Sequence, residues 1–262
     1  LQYKRIIQWT HEREFHKMDV KQPDTSYNHW LHDYPFYRKD VNATWLGVAG
    51  SALQYYNWFN RTSENGVSFY NPYESWTYST KTLPMYNTKT PYTELAYFGT
   101  IFANAQKESD NLHILTTQNI FPELNFTLEY DRFGGNGIMQ GEKTTNKTFV
   151  TSVNYLGKRY MMHTGYIHNK VIRKENGGTS DNSMVRDTTL DAREYPINLN
   201  NASTNLIRNT FFLDQQYRIP FTFIRNIKDR KIDKAFKDSL LASGDTARID
   251  SLDVFLARRR AA

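Results

Sequence analysis

The segment Leu124-Asn-Phe-Thr-Leu-Glu-Tyr-Asp-Arg132 alternates strictly between apolar and polar side chains. Its apolar residues are Leu124, Phe126, Leu128 and Tyr130, and the polar residues between them are Asn125, Thr127, Glu129 and Asp131. Successive side chains of a β-strand point to opposite faces of the sheet, so this pattern predicts a strand with one apolar and one polar face. Weaker alternation of the same kind recurs through residues 92–219, which predicts an antiparallel sheet of several strands.

The connections between these strands also follow a pattern. Tight turns are predicted at residues 121–123 and 156–158, whereas residues 134–146 and 172–203 are long and rich in polar residues. If the strands run up and down, the tight turns fall at one end of the sheet and the long loops at the other. This asymmetry is typical of bacterial outer-membrane β-barrels.

In such a barrel, the alternation assigns each residue to the lipid or to the lumen. The residues predicted to face lipid are Leu95, Tyr97, Phe126, Leu128, Tyr130, Phe149, Val153, Tyr155, Phe211, Leu213 and Tyr217. The residues predicted to face a water-filled lumen are Glu94, Asn125, Thr127, Glu129, Asp131, Ser152, Asn154, Asp214, Gln216 and Arg218. An arginine should then be tolerated at Thr127 but not at Leu128. Because acids outnumber bases in the predicted lumen, we also expect a weak preference for cations.

Composition excludes several other classes of protein. The chain has 262 residues and no cysteine, which excludes a disulfide scaffold and a thiolate metal site. No apolar run approaches the roughly 18 to 20 residues that a transmembrane helix needs. The net charge of +6 comes from scattered residues, so no nucleic-acid partner is expected. Residues 1–10 have no signal-peptide pattern, so a signal peptide is expected to have been removed.

No motif for catalysis, metal binding or cofactor binding is convincing. His11 and His16 are five residues apart, whereas the zinc helix motif needs a spacing of four. The three aspartates in residues 181–191 do not have the spacing of a calcium loop. Glu129 and Asp131 would lie about 7 Å apart on one strand face, which would permit glycosidase chemistry, but a polar wall is the simpler interpretation. We therefore expect no enzyme activity, no catalytic residue, no metal and no cofactor.

The two ends of the chain have different patterns. Residues 1–91 are rich in aromatic side chains, and strands are predicted there at residues 3–9, 43–56 and 67–70. The aromatic clusters at residues 55–59 and 69–78 suit a membrane-interface girdle, a sugar-stacking surface or an ordinary core.

After residue 225 the apolar spacing becomes helical, with a stop at Gly244 and a second short helix at residues 249–256. The predicted organisation is barrel strands with long loops over residues 1–225 and a charged helical hairpin over residues 226–262. Because the hairpin cannot pair with the first strand to close a barrel, we expect it to be an insertion or linker before further strands. The alternatives are that the helices plug the pore of a complete small barrel or that the protein is not a barrel. The fold class expected is therefore all-β, an incomplete antiparallel transmembrane barrel with a short C-terminal helical segment.

Several short motifs carry a resemblance to a known family. They are Thr-Trp-Leu-Gly-Val-Ala-Gly-Ser-Ala at residues 44–52, Thr-Pro-Tyr-Thr-Glu-Leu-Ala-Tyr at 90–97, Gln118-Asn119, Tyr130-Asp131-Arg132 and Glu175-Asn176-Gly177-Gly178. Over residues 24–220 the chain resembles the "putative porins" of Bacteroidetes, which are predicted outer-membrane β-barrels longer than this chain. Val48 departs from the asparagine usual in that family. The resemblance implies a barrel with further strands downstream, and it identifies no binding residue.

Two functional hypotheses remain. The first is an outer-membrane porin-like protein that contacts bacterial outer-membrane lipid, either a passive channel for small hydrophilic solutes or a barrel subunit of a larger envelope complex. The second is a soluble β-sandwich that binds or hydrolyses glycans on its aromatic surface. Extraction distinguishes them, because a barrel needs detergent and a sandwich does not.

Overall fold

The computed structural model describes residues 5–12, 17–23, 42–61, 69–99, 109–186, 189–219, 222–244, 248 and 252. The chain forms two compact units, Leu1–Gln216 and Tyr217–Ala262. Strands account for 54% of the structure and are mostly antiparallel. The described strands are β1 (Ile6–Glu12), β2 (Lys17–Lys21), β3 (Ala43–Trp45), β4 (Leu53–Tyr55), β5 (Pro84–Thr88), β6 (Tyr92–Phe98), β7 (Ser109–Phe121), β8 (Leu124–Asn136), β9 (Lys143–Leu156), β10 (Tyr160–Glu175) and β11 (Ala202–Tyr217).

A six-stranded sheet dominates the first unit. It is a meander in which β6 to β11 lie side by side in sequence order. Leu128 on β8 is opposite Thr116 on β7 and Thr151 on β9, so the alternating residues of neighbouring strands share faces. The sheets formed by the described strands are not closed into a barrel. The predicted antiparallel all-β class is confirmed, and the sheet observed is an open one.

The predicted connections are mostly confirmed. Pro122 and Glu123 join β7 to β8, and residues 157–159 join β9 to β10. The long loop predicted at residues 134–146 is wrong in extent, because β8 and β9 leave only residues 137–142 between them. Thr144 and Asn146 looked like loop residues, but both are buried in β9, where Asn146 Nδ2 donates to the Gly50 carbonyl at 2.8 Å. This hydrogen bond to the N-terminal part of the chain makes Asn146 compatible with a buried strand.

The N-terminal region forms two smaller sheets. One has the order β2-β1-β5, and the other is the hairpin of β3 and β4. The single strand predicted at residues 43–56 is wrong, because Gly47 (φ 90°) and Gly50 (φ 91°) form a turn that divides it. Of the strand predicted at residues 67–70, the first two residues lie outside the described part and Phe69 and Tyr70 form a turn.

Gly50 provides a test of this hairpin. A Cβ atom there would lie 3.0 Å from Phe133 Cδ1, whereas at Gly178 (φ 81°) nothing lies within 4 Å. The positive φ at each of the two positions disfavours alanine by about 1–2 kcal/mol. At Gly50 alone, a steric clash adds about 1–3 kcal/mol. We expect Gly50→Ala to lower the free energy of unfolding more than Gly178→Ala, as measured by urea unfolding. Equal losses would show that Gly50 does not contact the sheet.

The second unit contains the helix α1 (Thr222–Ala242). The predicted helix and its stop are confirmed, since Gly244 follows it with φ 74°. The second predicted helix lies mostly outside the described residues. Among the described helices, none is both long and apolar enough to cross a membrane.

Candidate functional site

The six-stranded sheet has two faces of different character. We call the inner face the one that carries Asn125, Thr127, Glu129, Ser152 and Asn154, each of which exposes only 1% of its surface. The outer face carries the alternate residues, among them Phe126, Leu128, Tyr130, Phe149, Val153 and Tyr155, which are partly or fully exposed. The polar face is therefore the buried one, and the apolar face is the one left uncovered.

The inner face is buried because the N-terminal part of the chain covers it. We call residues 5–12, 42–55 and 69–88 the covering segment. Its Trp9 packs with Leu83 and Met85 against Val150 of β9 and Ile167 of β10, and Trp9 Nε1 donates to His163 Nε2 at 3.3 Å. Burial of these side chains supplies the hydrophobic part of the contact.

A second apolar cluster lies under the β3–β4 hairpin. Trp76 stacks on Phe133 of β8 with ring centroids 4.6 Å apart, and Trp76 Nε1 donates to the Ser51 carbonyl at 2.8 Å. Tyr55 and Leu53 complete the cluster. These residues come from the aromatic-rich stretches of the sequence. Those stretches suited a membrane-interface girdle, a sugar-stacking surface or an ordinary core. Tyr55, Tyr73 and Trp76 are core residues.

Asparagines of the sheet bond the backbone of the covering segment. Asn169 of β10 accepts from the Tyr78 backbone N–H at 3.3 Å and donates to the Tyr78 carbonyl at 2.8 Å. Asn154 donates to the Tyr86 carbonyl at 2.9 Å, and Asn119 accepts from the Thr88 N–H at 2.9 Å. A side-chain amide has the same donor and acceptor as a peptide group, so these residues satisfy backbone groups of Tyr78 and of β5, which is an edge strand of its own sheet.

A charged cluster lies where the covering segment meets β7 and β8. The Tyr78 hydroxyl donates to Glu129 Oε1 at 2.6 Å, and His113 Nδ1 lies 2.5 Å from Asp131 Oδ1 and 3.9 Å from Glu129 Oε1. Burial raises the pKa of Tyr78 well above its usual value, and the nearby Asp131 and Glu129 raise it further. The phenol therefore stays protonated and acts as a hydrogen-bond donor to the buried carboxylate.

The cluster can be tested as a source of stability. Tyr78→Phe removes a hydrogen bond to a buried charged group, and we expect a loss of about 1.5–3 kcal/mol in the free energy of unfolding. The matched control is Tyr166→Phe, whose hydroxyl bonds Asn209 at 3.2 Å on the exposed side of the sheet. That control should cost less, about 0.5–1.5 kcal/mol, because its hydrogen bond joins two neutral groups. Equal effects would contradict the burial of Tyr78.

Ligand atoms of His113, Glu129 and Asp131 lie within 4.8 Å of one another, so their types and spacing could accommodate a metal ion. The 2.5 Å contact between His113 and Asp131 is a direct hydrogen bond, and an ion bound by both would have to separate them. Glu129 is also enclosed by Tyr78, so a substrate does not reach the Glu129 carboxylate without displacing the covering segment, whereas Asp131 is partly exposed. In this arrangement, the cluster holds the covering segment against the sheet.

The structure places the predicted lumen residues as follows. Glu94, Asp131, Asp214 and Gln216 lie on the inner side of their strands and are partly buried, whereas Arg218 follows the end of β11 and is exposed. The expectation that this face lines water is wrong for the buried residues, because the covering segment occupies the space beside them. Arg173 and Arg208 also alternate onto this side, so the acid excess behind the predicted cation preference is smaller than the sequence indicated.

The predicted lipid residues share the outer face. Leu95, Phe211, Leu213 and Tyr217 are exposed, and Phe211 leaves 73% of its surface uncovered. Four of the six outward positions of β11 from Ile207 to Tyr217 are apolar or aromatic. Contact of this face with lipid stays a prediction, because it depends on the surroundings of the sheet.

Sequence reasoning missed the covering segment itself. Trp9, Tyr78 and Arg208 lie far apart in the chain, and Arg208 Nη2 donates to the Tyr78 carbonyl at 3.0 Å. The one signal that could have indicated it was the series of amides, Asn119, Asn125, Asn154 and Asn169, at inward positions of predicted strands. Amides there are better suited to bonding another backbone than to an apolar core.

These features define a class of protein: an antiparallel meander with an exposed apolar face and a polar face filled by its own N-terminal segment. The model of the family described as "Putative porin" matches residues 5–251, and the chain belongs to this family. The porin family resemblance seen in the sequence is thereby confirmed, whereas a Bacteroidetes origin stays a prediction. Family membership is consistent with an outer-membrane location. No curated protein and no solved structure matches the chain significantly.

Proposed function

We propose that this chain is the strand-bearing part of an outer-membrane porin-like protein that serves as a passive channel for small hydrophilic solutes. The observation that supports this proposal is the inverted burial of the sheet, with polar residues inside and aromatic and aliphatic residues outside. A soluble protein normally buries its apolar face. A sheet in lipid does the opposite, since lipid covers its apolar side chains.

The outward residues of the outer face form an apolar band, and the height of this band supports the same conclusion. Ile207 and Tyr217 are ten residues apart on β11, and this span is about 33 Å along the strand at about 3.3 Å per residue. With the tilt of about 45° common in membrane barrels, the band would be about 23 Å tall, close to the roughly 25 Å of outer-membrane proteins. Backbone groups at open sheet edges are costly in lipid, so the complete protein should close the edges at β6 and β11 with further strands.

The covering segment shapes the proposed pore. It occupies the inner face near β7 to β10, so solutes would pass beside it and the conductance should be small. The enclosure of Glu129 supports a non-enzymatic role without a cofactor. A barrel subunit of a larger envelope complex is the variant of this proposal in which the covering segment blocks passage fully. Neither form requires a nucleic-acid partner.

The channel proposal is tested with the full-length native protein. We expect extraction from membranes to require detergent, migration on gels to change after boiling, and planar bilayers to show discrete small conductance steps. The matched variant Asn169→Ala loosens the covering segment at Tyr78 and should increase the conductance or its fluctuations. An inserted, folded protein without conductance would contradict the channel and favour the structural subunit.

One observation favours a second candidate, the glycan-binding protein. Trp58 and Phe59 expose 74% and 91% of their surfaces, and Arg61 lies 5.4 Å from the Trp58 ring centroid. Exposed aromatic rings of this kind stack on sugars as well as they insert at membrane interfaces. Recovery of the protein in the soluble fraction, together with glycan binding that Trp58→Ala abolishes, would establish this candidate over the porin.

A further inference from the structure

A row of three cations crosses the outer face. Arg132 of β8 is directly opposite Lys147 of β9, and Lys147 is directly opposite Lys170 of β10. Neighbouring strands lie about 4.8 Å apart, so the three side chains leave the sheet close together. Like charges directly opposite each other in a sheet are destabilising unless something compensates them.

Nothing in the described part of the chain neutralises the row. No ion pair joins Arg132, Lys147 or Lys170 to a carboxylate among the described residues. Asp110, an acid on the same face, lines the same surface cavity as Arg132 and accepts a hydrogen bond from Tyr97 at 2.9 Å. A second cation pair, Lys143 opposite Lys174, lies four residues farther along the strands. The excess of positive charge is therefore concentrated on one part of the outer face.

The position of this cationic row relative to the apolar band points to its partner. The row next to it consists of Tyr130, Phe149 and His168, which are also directly opposite one another. Beyond them the outer face is mainly apolar down to the tight turns, so the cationic row stands at the boundary of the apolar band. It lies on the side of the longer connections, which face the outside of the cell in outer-membrane barrels.

We infer that the row formed by Arg132, Lys147 and Lys170 binds the phosphate groups of anionic lipid headgroups in the outer leaflet. This inference rests on the proposed function, because it requires lipid to surround the outer face. Phosphate oxygens accept hydrogen bonds from lysine and arginine and neutralise the three adjacent charges. Aromatic residues one row deeper place the apolar boundary at the level where acyl chains meet the headgroups.

The test measures lipid binding to the full-length protein purified in a non-ionic detergent. The probes are diphosphorylated lipid A and its dephosphorylated form, which has the same acyl chains, and native mass spectrometry gives the dissociation constants. Each cation near an anionic surface contributes about a fivefold gain in affinity. Lys147→Gln combined with Lys170→Gln, the two positions farther from Asp110, should therefore weaken binding of the phosphorylated form about 25-fold.

The matched control removes the same charge at the other end of the sheet. Lys158 and Arg159 are exposed in the turn between β9 and β10, and Lys158→Gln with Arg159→Gln should change the affinity less than about twofold. Equal weakening by both pairs, or equal binding of the dephosphorylated lipid, would overturn the inference. Displacement of the lipid by an equal concentration of inorganic phosphate would instead assign the row to a soluble anion.

Conductance recorded for the same variants separates this inference from the channel proposal. Phosphate-dependent lipid binding without conductance would reject the channel and retain the lipid site. Conductance with no phosphate dependence of lipid binding would reject the site and retain the channel.

Discussion

Replacing Trp9 with alanine is expected to lower the free energy of unfolding by about 3–5 kcal/mol. Trp9 is 2% exposed and packs against Leu83, Met85, Val150 and Ile167, so its removal leaves a cavity between the covering segment and the sheet. The His163 ring also loses its hydrogen bond to the indole. Urea unfolding of the reconstituted protein, followed by tryptophan fluorescence, measures the loss.

Trp58→Ala is the control for this prediction. It removes the same side chain at a position that is 74% exposed, and we expect a change of about 0.5 kcal/mol or less. If Trp9→Ala were as mild as Trp58→Ala, the covering segment would not be part of the folded core. If Trp9→Ala does not fold, Trp9→Phe should retain part of the packing and give an intermediate loss.

Replacing Leu128 with arginine is expected to cost about 2–4 kcal/mol in a bilayer. Leu128 lies four residues, or about 13 Å along the strand, from both Leu124 at the tight turn and Arg132 at the cationic row. It is therefore near the middle of the proposed apolar band, where an arginine has the greatest distance to reach water. Equilibrium unfolding in bilayers of matched thickness measures the loss.

Leu124→Arg is the matched control, because the same substitution at the edge of the band should cost about 0–1 kcal/mol. Equal tolerance at both positions would show that water surrounds this face. The arginine tolerance expected at Thr127 from the sequence is no longer expected, since Thr127 is 1% exposed and its hydroxyl lies 2.9 Å from that of Thr117. An arginine there would displace the covering segment.

Sequence alternation correctly predicted the strands in which apolar and polar side chains alternate. Residues 124–132 and 148–155 have period two, and the structure gives each of their residues the expected side of the sheet. Period two constrains facing strongly, because a shift by one residue would move every side chain to the other face. Gly244 likewise ended the helix where a positive φ was needed.

The covering segment could not be predicted in the same way. Its position depends on contacts between distant residues, such as Tyr78 with Glu129 and Trp9 with His163, and no local period encodes these. Alternation indicates that a face is polar, but water and a hydrogen-bonded backbone satisfy polar side chains equally well. The inner residues were therefore assigned to the correct face of the sheet and to the wrong surroundings.

The cationic row could not be predicted from the sequence either. Arg132, Lys147 and Lys170 are separated by many residues, and the net charge of +6 gave no indication that they meet. Only the strand register brings them into one line. A charged surface of this kind needs the pairing of three strands to be known.

The central claim is that lipid covers the outer face, and spin-label accessibility tests it most directly. The chain has no cysteine, so single cysteines can be placed at Leu128, Val153 and Leu213, with Ser183 in an exposed loop as the aqueous control. In the reconstituted full-length protein, labels at the first three positions should be accessible to oxygen and protected from a water-soluble nickel complex, and the label at Ser183 should show the reverse. High nickel accessibility at Leu128, Val153 and Leu213 in the folded, reconstituted protein would contradict the account.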